Sequence, residues 1–211
     1  MAATIFTVAQ QKGGAGKSTL AAHLAVAWAL KRKRVALVDI DPQSTLAAWF
    51  AARAAHLGPE AVGLRFENVT GWRAAKAVEQ LARESDMVVV DSPPHAETEA
   101  RVAVRAADLV VIPTQPSPLD VWATLPTLQL AAKEKRPSVL VLNRVPPRAL
   151  LTERMAEALA GYEAEIAKAR LGARVAFAES MADGLTAPET KPSSQAAKEI
   201  RALAQELLRK V

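Results

Sequence analysis

The chain has 211 residues, half of them hydrophobic and 23% charged, a length and balance that favour one folded unit and exclude disorder as the main state. Cysteine is absent, so disulfides, iron–sulfur clusters and thiol catalysis are excluded, and with only three histidines a His-rich metal site is not expected. Lysine and arginine exceed aspartate and glutamate by 27 to 22, a net charge of +5 that favours polyanionic partners such as nucleic acid.

Thr4 to Ala9 predicts a first strand, followed by a glycine-rich turn and a helix from Lys17 to Leu30. Val35 to Asp39 predicts a second strand, with a helix through Leu46 to Ala54. A weaker strand signal at Leu64 to Val69 precedes an amphipathic helix, Trp72 to Glu84. Met87 to Asp91, Leu109 to Pro113 and Val139 to Asn143 complete the strand pattern. Apart from the weak one, all are near-continuous apolar runs, which implies burial on both faces and a parallel sheet covered by helices. The right-handed crossover rule then predicts an α/β, doubly wound, mostly parallel fold. No repeat or low-complexity linker divides residues 1–211, and the first strand starts too early for an N-terminal helix-turn-helix. The N-terminus lacks a basic leader and no apolar run reaches membrane-spanning length, so a soluble cytoplasmic protein is expected.

Gln11-Lys12-Gly13-Gly14-Ala15-Gly16-Lys17-Ser18-Thr19 lies between the first strand and first helix, where open α/β sheets bind ligands. Glycines let backbone N–H groups turn toward phosphate oxygens, and the helix adds its positive N-terminal end. Lys17 is placed to reach the β and γ phosphates, and the Ser18 hydroxyl to ligate Mg²⁺. Gly13 to Thr19 form the candidate nucleotide cradle. The ordinary pattern G-x-x-x-x-G-K-[ST] would put its first glycine at Gln11. A second lysine, Lys12, follows instead.

Asp39 and Asp41 close the second strand at the same sheet edge, a pair able to orient water and hold Mg²⁺, although either could simply cap the next helix. Asp91 ends the apolar run Val88 to Val90 as a further candidate metal ligand. Asn143 is a candidate for reading the adenine edge, or an asparagine that turns the chain after a strand.

K-G-G-x-G-K-[ST] is the deviant Walker A motif, and in it the sequence resembles the ParA/MinD family of P-loop nucleotide-switch ATPases. The resemblance implies ATP and Mg²⁺ as cofactors, with Lys12 reaching across a nucleotide-sandwich homodimer to the partner's phosphates. It also gives Asp41, within D-x-D-P-Q, the hydrolytic role supported by Asp39, and makes Asp91 the Walker B acid. Asp41 to Trp49 and Asp108 to Asp120, including Pro116-Ser117-Pro118-Leu119-Asp120, are similar to the short ParA proteins of the ParF type. What this implies is an ATP-dependent partition ATPase that binds DNA non-specifically. A small ParB- or ParG-like activating partner would release it, polymers would be a further assembly state, and the ATP form would sit on the nucleoid.

Ser194 to Val211 has the period of a helix with an apolar face made by Ala196, Ile200, Leu203, Ala204, Leu207, Leu208 and Val211. Lys198, Arg201 and Arg209 fall on one stripe beside it, the candidate DNA contacts, with Arg170 and Arg174 next in line. The basic run Lys31 to Arg34 reads as ordinary surface. Two other functions share the motifs. A MinD-like membrane-positioning ATPase needs a tail anchor with bulky apolar residues, and this tail has no Phe or Trp. An ATP-dependent ligase or synthase needs a small-substrate cluster, and none stands out.

Overall fold

The computed structural model describes residues 3–58, 63–94, 97–147, 150–162 and 164–211. Seven strands form one sheet: β1 (Thr4–Val8), β2 (Val35–Asp39), β3 (Arg65–Asn68), β4 (Met87–Asp91), β5 (Leu109–Thr114), β6 (Ser138–Leu142) and β7 (Glu165–Ile166). Their order is β3-β2-β4-β1-β5-β6-β7, and every pairing is parallel. β2, β4 and β5 are buried at every position, as their unbroken apolar runs require in a sheet covered on both faces. The strand expected at 64–69 is β3, on one edge. β7, two residues on the other edge, is too short to leave a periodic signal.

On one face lie α1 (Lys17–Ala29), α2 (Thr45–Leu57), α7 (Val175–Ala182), α8 (Ala187–Thr190) and α9 (Gln195–Leu207). On the other lie α3 (Arg73–Glu84), α4 (Glu97–Ala106), α5 (Pro118–Lys133) and α6 (Leu150–Ala160). Alternate strand residues feed the two cores. Val35, Leu37 and Val89 pack toward α1 and α9, whereas Ala36, Val38 and Val90 pack toward α3 and α4. α1 is buried around nearly its whole circumference because α9 covers the side turned from the sheet, with Trp28 Nε1 donating to Ala204 O at 3.2 Å. Of the apolar face of α9 predicted from its period, Ala196, Ile200, Leu203, Ala204 and Leu207 are buried in this contact, whereas Leu208 is half-buried and Val211, past the end of the helix, is exposed.

α8 is tied to α1 through His23, a fully buried side chain. Its Nδ1 lies 2.8 Å from Thr19 O, and its Nε2 accepts the Ala187 N–H at 3.1 Å, which requires the neutral ring with the proton on Nδ1. Burial pushes the His23 pKa down to about 4, against the Thr19 carbonyl and the Glu189 charge, which favour protonation. The unfolded chain takes up this proton near the ordinary value of 6.5, and the folded chain only near 4. His23 is therefore expected to add stability fully above pH 6.5 and to lose it as pH falls toward 4, by on the order of 3 kcal/mol. Urea unfolding at pH 7, 5.5 and 4.5 checks this. His23→Gln should show a shallower decline than the parent, and parallel declines would exclude His23 as the source.

Candidate functional site

All functional strand ends meet at one edge, the carboxyl ends of β1, β2, β4, β5 and β6, where crossovers to opposite faces leave a crevice beside β1. The phosphate loop occupies that crevice. Gly16 is the residue before α1 and adopts φ 90°, and a Cβ there would meet Asn143 Nδ2 at 2.7 Å, so both conformation and space require glycine. Gly13 and Gly14 are exposed, with their backbone open to a ligand. Lys17 begins α1 and is only 7% exposed. Burial lowers its pKa from the ordinary lysine value, opposed by the charges of Asp91 and Asp41. A desolvated ammonium at a helix N-terminus suits phosphate oxygens.

Asp91 is buried at the end of β4, with the Ser18 hydroxyl near enough to its carboxylate to favour the charged form. Its Oδ1 has no hydrogen-bond partner among the described residues. Burial pushes the Asp91 pKa up to about 7, with Ser18 and Lys17 opposing and Asp39 and Asp41 adding to the rise. An orphaned acceptor beside the Ser18 hydroxyl fits a divalent cation, which would restore the charged carboxylate. No cluster of three or more acidic or imidazole side chains among the described residues could cage a metal alone. Mg²⁺ takes few protein ligands and completes its shell with water and nucleotide phosphates.

Asp39 ends β2, and Asp41 follows two residues on. Asp39 accepts the Asp41 N–H on Oδ1 at 3.0 Å and the Leu46 N–H on Oδ2 at 3.1 Å, so both oxygens hold backbone. It caps α2, whose own N-cap residue, Ser44, makes no side-chain cap bond. Asp39 is thus engaged on both oxygens with the backbone that leads into α2. Asp41 accepts the Gln43 N–H at 2.9 Å and lies close enough to Lys17 and Asp91 for their charges to interact.

Four residues beyond the phosphate-loop motif, Gln10, Gln115, Thr124 and Thr127, shape the loop. Gln10, buried after β1, donates to Thr124 Oγ1 of α5 at 3.1 Å and accepts from Thr127 Oγ1 at 3.2 Å. Thr127 Oγ1 also accepts the Gln11 N–H, and Gln115 Nε2 donates to Gly14 O. Lys12 Nζ pairs with Asp120 Oδ1 at 2.8 Å. The Pro-rich segment before α5 is a rigid turn in which Ser117 Oγ accepts the Asp120 N–H and Pro118 occupies the first turn of the helix.

Asn143 donates from Nδ2 to Ala15 O at 2.8 Å and accepts the Arg144 N–H on Oδ1 at 2.9 Å. Both ends of its amide are thus engaged with backbone, and its observed work is to hold the phosphate loop. It borders a cavity of about 100 Å³ whose lining includes Gly16, Thr19, His23, Arg174 and Phe177.

The basic residues of the tail do not stay together. α9 ends at Leu207, so Arg209 lies past the helix and borders a different surface cleft, beside Glu165 and Glu206. Lys198 and Arg201 share a groove with Lys31, which the sequence had left as ordinary surface. Among the described residues none of these three has a carboxylate within salt-bridge distance, and Arg201 donates to Pro192 O. Arg170 pairs with Glu153, and Arg174 pairs with Glu199 at 2.6 Å, so neither offers a free charge.

A strand, a glycine loop with a buried lysine, a helix, and carboxylates at two neighbouring strand ends define a P-loop nucleotide hydrolase. Residues 6–187 match the model of the CobQ/CobB/MinD/ParA nucleotide binding domain, and the chain belongs to that family. It is 40% identical over 148 residues, 69% of this chain and 65% of the relative, to maintenance of carboxysome distribution protein A of Gloeobacter kilaueensis. The chromosome-partitioning ATPase Soj of Thermus thermophilus is 28% identical, over 97% of this chain and 95% of the relative. The septum site-determining protein MinD of Pyrococcus horikoshii, solved with Mg-ADP, superposes with a TM-score of 0.80 at 18% identity, covering 97% of this chain and 96% of that one. The protein is a ParA/MinD-family ATPase.

Proposed function

We propose that the protein is a positioning or partition switch, in which ATP joins two subunits, the dimer binds DNA without sequence preference, and a ParB- or ParG-like partner stimulates hydrolysis and release. Lys12 carries this reading. It is a second lysine on a complete phosphate loop, yet its ammonium pairs with Asp120 of α5. Next to it α5 exposes Leu119 and Trp122, 67% and 65% accessible, an apolar surface suited to a second subunit. Within one subunit Lys17 would bind the β and γ phosphates, Ser18 and Asp91 would hold the cation, and Asp41 would orient the attacking water. Bound Mg²⁺ would supply neutralisation of phosphate charge. Such a switch would work in the cytoplasm, over the nucleoid when ATP-bound, with a plasmid, a chromosome or a protein assembly as its cargo.

The groove of Lys31, Lys198 and Arg201 supports the DNA step, because it offers three cations without acidic partners among the described residues. A membrane anchor is disfavoured. The apolar face of α9 is packed on α1, and no described helix is long and apolar enough to cross a bilayer. Sizing by light scattering with ADP and with a non-hydrolysed ATP analogue, and duplex DNA binding by anisotropy across a salt series, test the proposal together. DNA affinity should rise with the analogue and fall steeply with salt, by a log–log slope of roughly −0.9 per phosphate contact. Arg201→Glu should weaken every sequence alike, about tenfold. Equal DNA binding in both nucleotide states would defeat the switch.

A further inference from the structure

Two lysines five positions apart leave one phosphate loop, and a triphosphate bound there would attract both. Lys17 is buried within the loop. Lys12 points elsewhere, with its Nζ 2.8 Å from Asp120 Oδ1. The Asp120 side chain is only 7% exposed and its other oxygen takes the Ser117 hydroxyl, so the carboxylate is fixed in the first turn of α5. The Lys12 side chain is 36% exposed, and an ammonium has three donors, which leaves N–H groups accessible while the pair is made.

From this geometry we infer that Asp120 is a positioning residue: it keeps Lys12 off its own subunit's phosphates and presents the ammonium at the surface to those of a second subunit. The inference rests on Lys12 acting across a dimer. An unrestrained lysine samples many rotamers and settles on the nearest anion, here the triphosphate of its own loop. Pairing with a fixed carboxylate removes that freedom before the second subunit arrives, so less order remains to be imposed on association. Among the described residues the Asp120 carboxylate pairs with Lys12 and Ser117 and with no residue of the Gly13 to Thr19 cradle, so it acts on that cradle only through Lys12.

Asp120→Asn keeps the shape of the side chain and removes its charge, and Asp120→Glu restores the charge. Dimer dissociation constants with a non-hydrolysed ATP analogue, measured by sedimentation, are compared with the affinity of each monomer for a fluorescent ADP. ADP affinity should stay within about twofold of the parent, since the cradle is untouched. The Asn variant should dimerise about tenfold more weakly, and the Glu variant should recover most of that loss. Asp120→Asn should add nothing to Lys12→Ala, because a residue acting only through Lys12 has no further effect once the lysine is gone. An Asn variant that dimerises like the parent, or one that loses ADP affinity in step with dimerisation, overturns the inference. If Lys12→Ala dimerises normally, the cross-subunit reading falls and takes the inference with it. If Lys12→Ala fails while Asp120→Asn behaves as the parent, only the role of Asp120 falls.

Discussion

Lys17→Ala is expected to abolish nucleotide binding in a protein that still folds. The lysine is 7% exposed and its charge is already desolvated, so phosphate oxygens meet a cation with little hydration left to displace. Charge-assisted hydrogen bonds contribute about 1.5–3 kcal/mol each, and a lysine that bridges two phosphates makes more than one. Affinity for ATP should therefore drop by at least about 100-fold. Folding should survive. Asp91, which loses a neighbouring cation, already has a raised pKa and neutralises by taking a proton. Calorimetric titration with ATP, beside a thermal melt, decides the matter, and near-parental affinity in a folded variant would remove Lys17 from the site.

The second large effect is expected at Asp41. Asp41→Ala should bind ATP at close to parental affinity, yet hydrolyse it 10² to 10⁴ times more slowly, roughly the contribution of one positioned acid–base group. With hydrolysis blocked, the ATP-bound dimer should accumulate and persist. Asp39 is engaged elsewhere, each of its oxygens holding a backbone N–H, those of Asp41 and Leu46. Phosphate release and sizing on the same sample report both consequences, and turnover at the parental rate would place the water-orienting group elsewhere in the crevice.

The parts of this site that sequence reading found are local. Lys12 to Thr19 are contiguous, and Asp39, Asp41 and Asp91 sit where apolar runs stop, so period and position suffice to place them at one sheet edge. The parts it missed are long-range. Gln10 meets Thr124 across 114 positions and Asn143 meets Ala15 across 128, distances at which period and spacing are silent. Asp120 could have been suspected, being an acid in the most distinctive segment after the loop, but its pairing with Lys12 depends on how α5 docks. The tail shows the opposite error. An ideal helical wheel carried to Val211 aligned Arg209 with Lys198 and Arg201, but the helix stops at Leu207 and the alignment stops with it. Lys31 escaped notice because only the packing of α9 on α1 brings it near them.

The central place of β1 sets the order in which the molecule can assemble. The first strand of this sheet in chain order pairs with β4 and β5, so it waits for residues 87–91 and 109–114 before either edge is satisfied. The glycine loop that follows it waits longer, until Asn143 arrives to hold Ala15. Pairings of such long separation make folding slow and keep apolar strands exposed during synthesis. Most of the chain must therefore be made before a shaped phosphate cradle exists, and a nascent fragment ending before β6 would lack the contact that closes it.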